Sequence, residues 1–202
     1  MKKSSVILLL FAIVLGTALV VAQEQPPAGA KVAPFPQPKP GSWWLFQDTA
    51  FGETKVELKS VEEGKFVLQV EERGSTRNSI VASEWNAIET LSPRGQWLTF
   101  LPHSRTYSFP LWEGKKWGGP VTLKTSTGFG NAFSVRGEAK RWETITVPAG
   151  TFEAMRVEAS GNPAGGTTCW YALEAERSIK CEISIGAPGY RKFELLKYEV
   201  KR

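Results

Sequence analysis

Residues 54–71 read TKVELKSVEEGKFVLQVE, and the two halves of this stretch share one pattern. In residues 54–60 and again in residues 65–71, apolar side chains occupy every second position. This period of two is typical of half-buried β-strands. The intervening Glu-Glu-Gly of residues 62–64 favours a short turn. The stretch therefore predicts an antiparallel β-hairpin.

Similar alternation recurs along the chain, with glycine and proline between the runs at short intervals. Residues 83–91 favour a short helix or another strand, and the pattern leaves both open. The architecture predicted is all-β: an antiparallel curved sheet that closes into a sandwich, a barrel or a half-barrel. The other predicted strands are residues 42–47, 77–83, 97–101, 106–111, 132–138, 143–147, 152–159, 168–173, 179–185 and 192–200.

Two of these runs break the alternation. Leu195 and Leu196 are adjacent and apolar, and residues 152–157 carry apolar side chains on both parities. A β-bulge, or a strand covered on both faces, explains a run of this kind. We expect one or the other in each.

The first 22 residues have the order of parts of a secretory signal peptide. Two lysines are followed by the uncharged residues 4–22, and polar, proline-bearing sequence begins at Gln23. Small residues before Gln23 predict cleavage after Ala22. The alternative is an uncleaved membrane anchor, because a spanning helix needs about 20 apolar residues. A glycine and a threonine interrupt this stretch, which favours cleavage.

Residues 23–40 contain six prolines. Because proline fixes φ and lacks an amide donor, neither helix nor sheet propagates through such a segment. We predict a disordered, extended Pro-rich spacer that acts as a tether, with a docking peptide for a proline-binding groove as the alternative. Residues 41–202 have the length of one domain, and we predict a single β-rich domain there.

The two cysteines, Cys169 and Cys181, flank a predicted hairpin whose turn is residues 174–176. Pairing Leu173 with Arg177 places the cysteines opposite each other, where Cβ atoms lie about 4.5–5.5 Å apart. A small adjustment brings such a pair within bonding distance. We therefore predict a disulfide, which suits an exported protein. A redox or metal-binding pair is the alternative, but the spacing fits neither CxxC nor a zinc knuckle.

Several segments together resemble an uncharacterised group of exported bacterial β-rich proteins, labelled TapB-like and known as a domain of unknown function. The resemblance implies a β-rich envelope domain and carries over no catalytic residues. The chain departs from the pattern at residues 173–175, where the group has a proline followed by glycines. The segments are, in order, GSWW at 41–44, the hairpin at 56–70, FPLWEGKKW at 109–117, VPAGTFEAMRVE at 147–158, WYAL at 170–173 and FELLKY at 193–198.

The sequence has no motif for catalysis, a metal or a cofactor. His103 is the one histidine and no GxSxG elbow is present, while Asp48 is the sole aspartate and no HExxH or calcium loop occurs. We predict no catalytic residues, no metal and no cofactor. Removing residues 1–22 leaves 23 basic and 20 acidic residues. This dispersed charge argues against nucleic acid as a partner.

Tryptophan content is the unusual feature, with eight in the chain. Indole faces stack on sugars or line apolar pockets, and they also fill β cores. Trp112 and Trp117 flank a predicted turn and are the candidate ligand-binding residues. Core packing is expected for Trp117, and the location of Trp112 is left open.

These observations predict a non-enzymatic envelope protein in the bacterial periplasm or outside the cell, with no transmembrane segment after signal cleavage. Its expected partner is an apolar or amphipathic ligand, or an envelope protein, bound on the curved sheet. A carbohydrate-binding module that uses exposed tryptophan is the alternative, and a hydrolase without a recognisable motif is the third hypothesis.

The mature protein should begin near Gln23. The intact mass of protein recovered from the periplasm of an expressing bacterium checks this, because removal of residues 1–22 changes the mass by a calculable amount. Full-length mass in the membrane fraction would indicate anchoring instead of cleavage.

Overall fold

The computed structural model describes residues 25–91, 96–128, 130–162, 165–184 and 189–202. The predicted signal peptide and its cleavage bond lie outside these ranges. Every regular element in the described residues is a β-strand, so the all-β prediction is confirmed. Within the same ranges, no helical segment could span a membrane.

Twelve strands form one closed antiparallel barrel in the order β10-β11-β12-β13-β14-β2-β3-β4-β5-β6-β7-β9, and β1 pairs with β8 in a separate small sheet. A barrel is thus the form that the predicted curved sheet takes. The strands are β1 Val32–Ala33, β2 Trp43–Asp48, β3 Gly52–Glu62, β4 Lys65–Glu72, β5 Ser75–Ala82, β6 Ala87–Leu91, β7 Trp97–Leu101, β8 Leu111–Trp112, β9 Lys116–Thr125, β10 Gly130–Val147, β11 Gly150–Asn162, β12 Gly165–Ala172, β13 Arg177–Ser184 and β14 Tyr190–Glu199.

The hairpin predicted from residues 54–71 is present as β3 and β4. Val56 lies opposite Val70 and Leu58 opposite Leu68, so the apolar sets of the two strands share one face. Glycine at position 64 takes a φ of 72°, in the left-handed region that the turn requires.

Other strands differ from their predictions. β9 was not predicted, because its Gly-Gly-Pro at 118–120 indicates a turn; pairing with β7 and β10 on both sides overrides that local signal. Residues 83–91, left open as helix or strand, contain strand β6. Predicted strands 132–138 and 143–147 are one strand, β10, and only the last residue of 106–111 belongs to a strand.

The two breaks in alternation have the predicted causes. The pairing of β14 with β2 shifts between Leu195 and Lys197, so Leu196 occupies a bulge. Residues 152–157 are covered on both faces, because Ala154 and Met155 belong to different hydrophobic clusters.

The tip of the β10–β11 hairpin reaches back to β14, where Ala149 N–H donates to the Leu195 carbonyl (3.0 Å).

The predicted disulfide is present: Cys169 lies opposite Cys181, with the Cα atoms 4.1 Å apart. The predicted register near the turn is wrong by one residue, since Ala172, not Leu173, pairs with Arg177. The turn therefore spans four residues, and a bulge at Ile179 restores the register before the cysteines.

The pairing register assigns an inward face to each strand, because paired residues of neighbouring strands project to the same side of a sheet. Val56 pairs with Trp44 on one side and Val70 on the other, and all three side chains are buried. Their strand neighbours Leu45 and Lys55 are only half-buried. Followed around the closed barrel, this face continues through β10, β11 and β12.

The connection between β7 and β9, residues 102–115, fills one end of the barrel; we call it the plug. Tyr107, Phe109 and Leu111 of the plug are buried in one hydrophobic cluster with inward residues of β10 to β13. The Phe109 ring meets the Tyr171 ring edge-on at 4.9 Å. The plug therefore closes the end at which the β3–β4 and β12–β13 turns lie.

Asn86 fastens the plug. It is fully buried, its Nδ2 donates to the Tyr107 carbonyl (2.9 Å), and its Oδ1 accepts from the Tyr107 N–H (2.9 Å). Both polar groups of the Tyr107 backbone are thereby satisfied away from water. The Tyr107 hydroxyl also contacts the Ser178 hydroxyl.

The predicted spacer differs from expectation over residues 31–39, which we call the strap. Val32 and Ala33 pair with β8, and Ala33 is fully buried. The Lys31 ammonium forms an ion pair with Glu153. Proline prevents regular structure within the strap, but it leaves the amides of residues 32–33 free to pair and an extended chain free to lie on the plug.

Asn86→Ala should lower the free energy of unfolding by about 2–4 kcal/mol, because it leaves the buried N–H and C=O of Tyr107 without partners. Urea unfolding followed by fluorescence measures the change. The matched control is Asn78→Ala on an exposed position of β5, which should stay within about 0.5 kcal/mol of the wild type. Equal effects of the two substitutions would contradict the role given to Asn86.

Candidate functional site

The end of the barrel opposite the plug is the candidate site, and we call it the mouth. The β2–β3 and β4–β5 turns lie at this end. Inward residues here divide into an apolar side, on β7, β9, β10 and β13, and a polar side, on β14 and β2 to β5. The polar side consists of Asp48, Thr54, Glu72, Arg77 and Arg191. The apolar side consists of Leu98, Phe100, Leu123, Phe133 and Ile183, with the uncharged Thr125, Asn131 and Thr167 at paired inward positions among them.

The apolar side of the mouth is incompletely covered. Phe100 pairs with Leu123, and Phe133 pairs with Val121, so these side chains share the inward face. Val121 is buried, but Phe100, Leu123 and Phe133 are each half-buried although they face the barrel axis. The mouth therefore presents apolar surface toward the interior, which favours an apolar guest.

Two ion pairs stand on the polar side. Arg191 donates from Nε (2.9 Å) and Nη2 (2.6 Å) to Oδ2 of Asp48. Arg77 donates from Nε to Oε1 of Glu72 (2.9 Å). Both carboxylates are buried, and each is compensated by a guanidinium, as burial of a charge requires.

Two donors on the polar side remain unused. Thr54 is 6% exposed, and its Oγ1 has no hydrogen-bond partner among the described residues. The same holds for Nη1 of Arg77, which is buried while Nε and Nη2 of that guanidinium contact Glu72. Buried polar groups normally have partners. Trp142, Arg156 and Arg177 also carry a buried donor without a partner in the described part of the chain, and Thr54 and Arg77 are the two such residues on the polar side of the mouth.

Titratable groups at the plugged end lie in a dry environment. Burial raises the pKa of Tyr107 to about 12. Burial lowers the pKa of Arg177 to about 10, and its guanidinium lies 4.3 Å from the centre of the Trp85 ring. The plugged end therefore disfavours charge and is filled by protein, which distinguishes it from the mouth.

The tryptophans singled out from sequence occupy different environments. Trp112 is 4% exposed and packs in the small sheet with the strap, so its ring borders no opening. Trp117 is half-buried, packs against the hydrophobic cluster that contains the plug residues, and also borders an outer groove of about 480 Å³. Its Nε1 donates to the Arg105 carbonyl (2.9 Å). The two rings lie beside the same turn in sequence. Only Trp112 pairs with the strap, which covers its ring.

The outer groove is lined mainly by charged and hydroxyl side chains. Lys140 bridges it by donating to Glu138 (2.8 Å) and lying 3.7 Å from Glu158. The hydrogen bond from Lys140 lowers the pKa of Glu138. Lys140 therefore neutralises the two carboxylates of this groove.

The residues of the mouth were not identified from sequence. His103, the histidine considered for catalysis, lies half-buried in the plug and not at the mouth. Within the described ranges, no three His, Cys, Asp or Glu side chains are placed to hold a metal. One signal was available: Thr54 and Glu72 stand at inward positions of otherwise apolar alternation.

Comparison with known proteins identifies similar folds but no related sequence. The sequence matches no protein-family model and no curated protein. The hypothetical lipoprotein YmcC from Escherichia coli K12 is similar in structure, with a TM-score of 0.52 at 10% identity over 78% of this chain and 84% of YmcC. A protein of YmcC-like fold from Bacteroides fragilis has a TM-score of 0.49 at 14% identity, over 84% of this chain and 99% of that protein. The likeness to YmcC shows a shared fold.

Gly137→Ala should lower the free energy of unfolding by about 1–3 kcal/mol, as overpacking does. A Cβ at this position would lie 2.2 Å from Cε2 of Trp117, whose ring is held by its bond to Arg105. Thermal and urea unfolding measure the loss. Gly130→Ala on the same strand is the control, because its Cβ would meet nothing closer than 3.7 Å. A Gly137→Ala protein as stable as the control would show that the Trp117 ring moves freely.

Proposed function

We propose that this protein is an exported envelope protein that binds an amphipathic ligand in the mouth of its barrel. The observation that carries the proposal is the division of the mouth: half-buried apolar side chains such as Phe100 and Phe133 face ion-paired residues across the interior. A molecule with an apolar chain and a polar head matches both sides at once.

Export is supported by three independent features. The charge and hydropathy order of residues 1–22 is that of a signal peptide. The Cys169–Cys181 disulfide suits the periplasm or the extracellular space. YmcC is described as a hypothetical lipoprotein. The resemblance to the TapB-like group also predicts export, and it stays a prediction.

Binding, not catalysis, is the activity we propose. Each carboxylate of the mouth forms an ion pair with a guanidinium, and the sequence holds no catalytic motif that would use either of them. Asp48 also accepts from the backbone N–H of Ala50 (2.8 Å), so its oxygens are further occupied.

Carbohydrate binding is the second candidate, and one residue favours it. Trp97 faces outward from β7 and is 42% exposed, which leaves an indole face for a sugar ring. Trp112 no longer supports this hypothesis, because its ring is covered.

Leu98→Asp should weaken binding of a fluorescent apolar dye, N-phenyl-1-naphthylamine, by roughly tenfold or more, because it places a charge on the apolar side of the mouth. Native mass spectrometry of the same protein from the periplasm should lose any co-purified lipid. Fluorescence titration and the mass spectrum are the two measurements.

Leu101→Asp is the matched control. Leu101 lies on the same strand, faces outward and is 42% exposed, so its substitution should leave dye binding within about twofold of the wild type. Equal loss in both variants, or a co-purified glycan in place of lipid, would refute amphipathic ligand binding at the mouth.

A further inference from the structure

Thr54, Glu72 and Arg77 form a contiguous group on the inward face of β3, β4 and β5. Thr54 lies directly opposite Glu72, and Arg77 reaches Glu72 from the other neighbouring strand. Glu72 thus stands between the two side chains that carry unused donors. All three side chains lie on the inward face, at the end of the barrel where the β4–β5 turn lies.

The missing partner is a hydrogen-bond acceptor. Oγ1 of Thr54 and Nη1 of Arg77 are both able to donate, and a guanidinium cannot accept. Glu72 uses Oε1 toward Nε of Arg77 at 2.9 Å, while its contact from Nη2 to Oε2 is long at 3.5 Å, so this carboxylate does not hold the whole guanidinium.

The chemistry favours an anionic acceptor over a neutral one. Arginine binds carboxylate and phosphate oxygens through more than one N–H, and hydrogen bonds between ionised groups are the stronger ones. On the polar side, Arg77 and Arg191 each stand beside one buried carboxylate. Nη1 of Arg77 is the charged donor that remains for an anion.

Folding stability alone does not explain the hydroxyl of Thr54. Val56, the next inward residue of β3, packs in the hydrophobic cluster, and a valine at position 54 would fill the same volume. An unmet buried hydroxyl opposes folding, while an apolar group of the same shape does not.

We infer that Thr54 and Arg77 bind the oxyanion head group, a carboxylate or a phosphate, of the amphipathic ligand. The inference rests on the proposed function, because it assigns the head of the molecule whose chain lies against Phe100 and Phe133. Glu72 is a positioning residue that orients the Arg77 guanidinium.

The test uses three probes of equal chain length, dodecanoate, dodecyl phosphate and dodecanol, titrated calorimetrically into the exported protein. Both or one of the anions should bind at least about tenfold more tightly than dodecanol. Preference between the anions identifies the source: dodecanoate indicates a fatty acid, and dodecyl phosphate indicates a phospholipid.

Thr54→Val should weaken anion binding roughly tenfold, leave dodecanol binding unchanged and raise the melting temperature. Weaker anion binding together with a higher melting temperature indicates that the Thr54 hydroxyl contacts the ligand, because a hydroxyl needed for folding would lower the melting temperature when removed. Arg77→Lys should weaken anion binding by a similar factor. Thr76→Val, on an exposed neighbouring position of β5, is the control and should change neither.

Unchanged anion binding in Thr54→Val and Arg77→Lys would overturn the head-group assignment. If dodecanol still binds in that case, ligand binding at the mouth stands and only the assignment fails. Failure of all three probes to bind the wild type would overturn the proposed function together with the inference.

Discussion

A barrel of twelve strands is wider than its own inward side chains fill, because about eight strands already suffice for a packed interior. This width is the constraint on which the molecule depends. At one end the chain meets it by turning residues 102–115 inward, so that Tyr107 and Phe109 complete the core. At the mouth, Phe100 and Phe133 face the axis half-buried and pack against a small buried cluster of Val121, Val135 and Ala159. The two ends of the barrel therefore differ in how their apolar side chains are covered: the plug buries them at one end, and they stay half-buried at the mouth.

Loop backbone inside a barrel needs hydrogen-bond partners that strands obtain from their neighbours. Asn86 supplies them to Tyr107, and Lys115 supplies them to the carbonyl groups of Ser108 (2.5 Å) and Pro110 (2.8 Å). The strap then covers β8 from outside. Side-chain hydrogen bonds thus satisfy the plug backbone in the way that neighbouring strands satisfy a strand. The plug can therefore be held in place without regular secondary structure.

Period-two alternation was enough to predict the β3–β4 hairpin, most strands and the opposition of Cys169 and Cys181, because these features depend on residues close in sequence. β9 was missed since glycine and proline at 118–120 carry a turn signal that pairing on both sides overrides. The mouth could not be predicted, because Phe133 of β10 and Arg77 of β5 face a common interior only when the barrel closes. Burial of Trp112 likewise depends on the strap, which lies far from it in sequence.

The division of the mouth follows from how charge can be placed inside a barrel. Asp48 and Glu72 are buried, so each needs a cation at contact distance, and Arg191 and Arg77 meet that need from neighbouring strands. With these four charges grouped on one side, the described inward residues of the opposite wall carry no charge. Replacing a buried ion pair with well-packed apolar residues is often neutral or stabilising, so stability alone does not account for the two pairs. Their position opposite an apolar wall agrees with the amphipathic ligand that we propose.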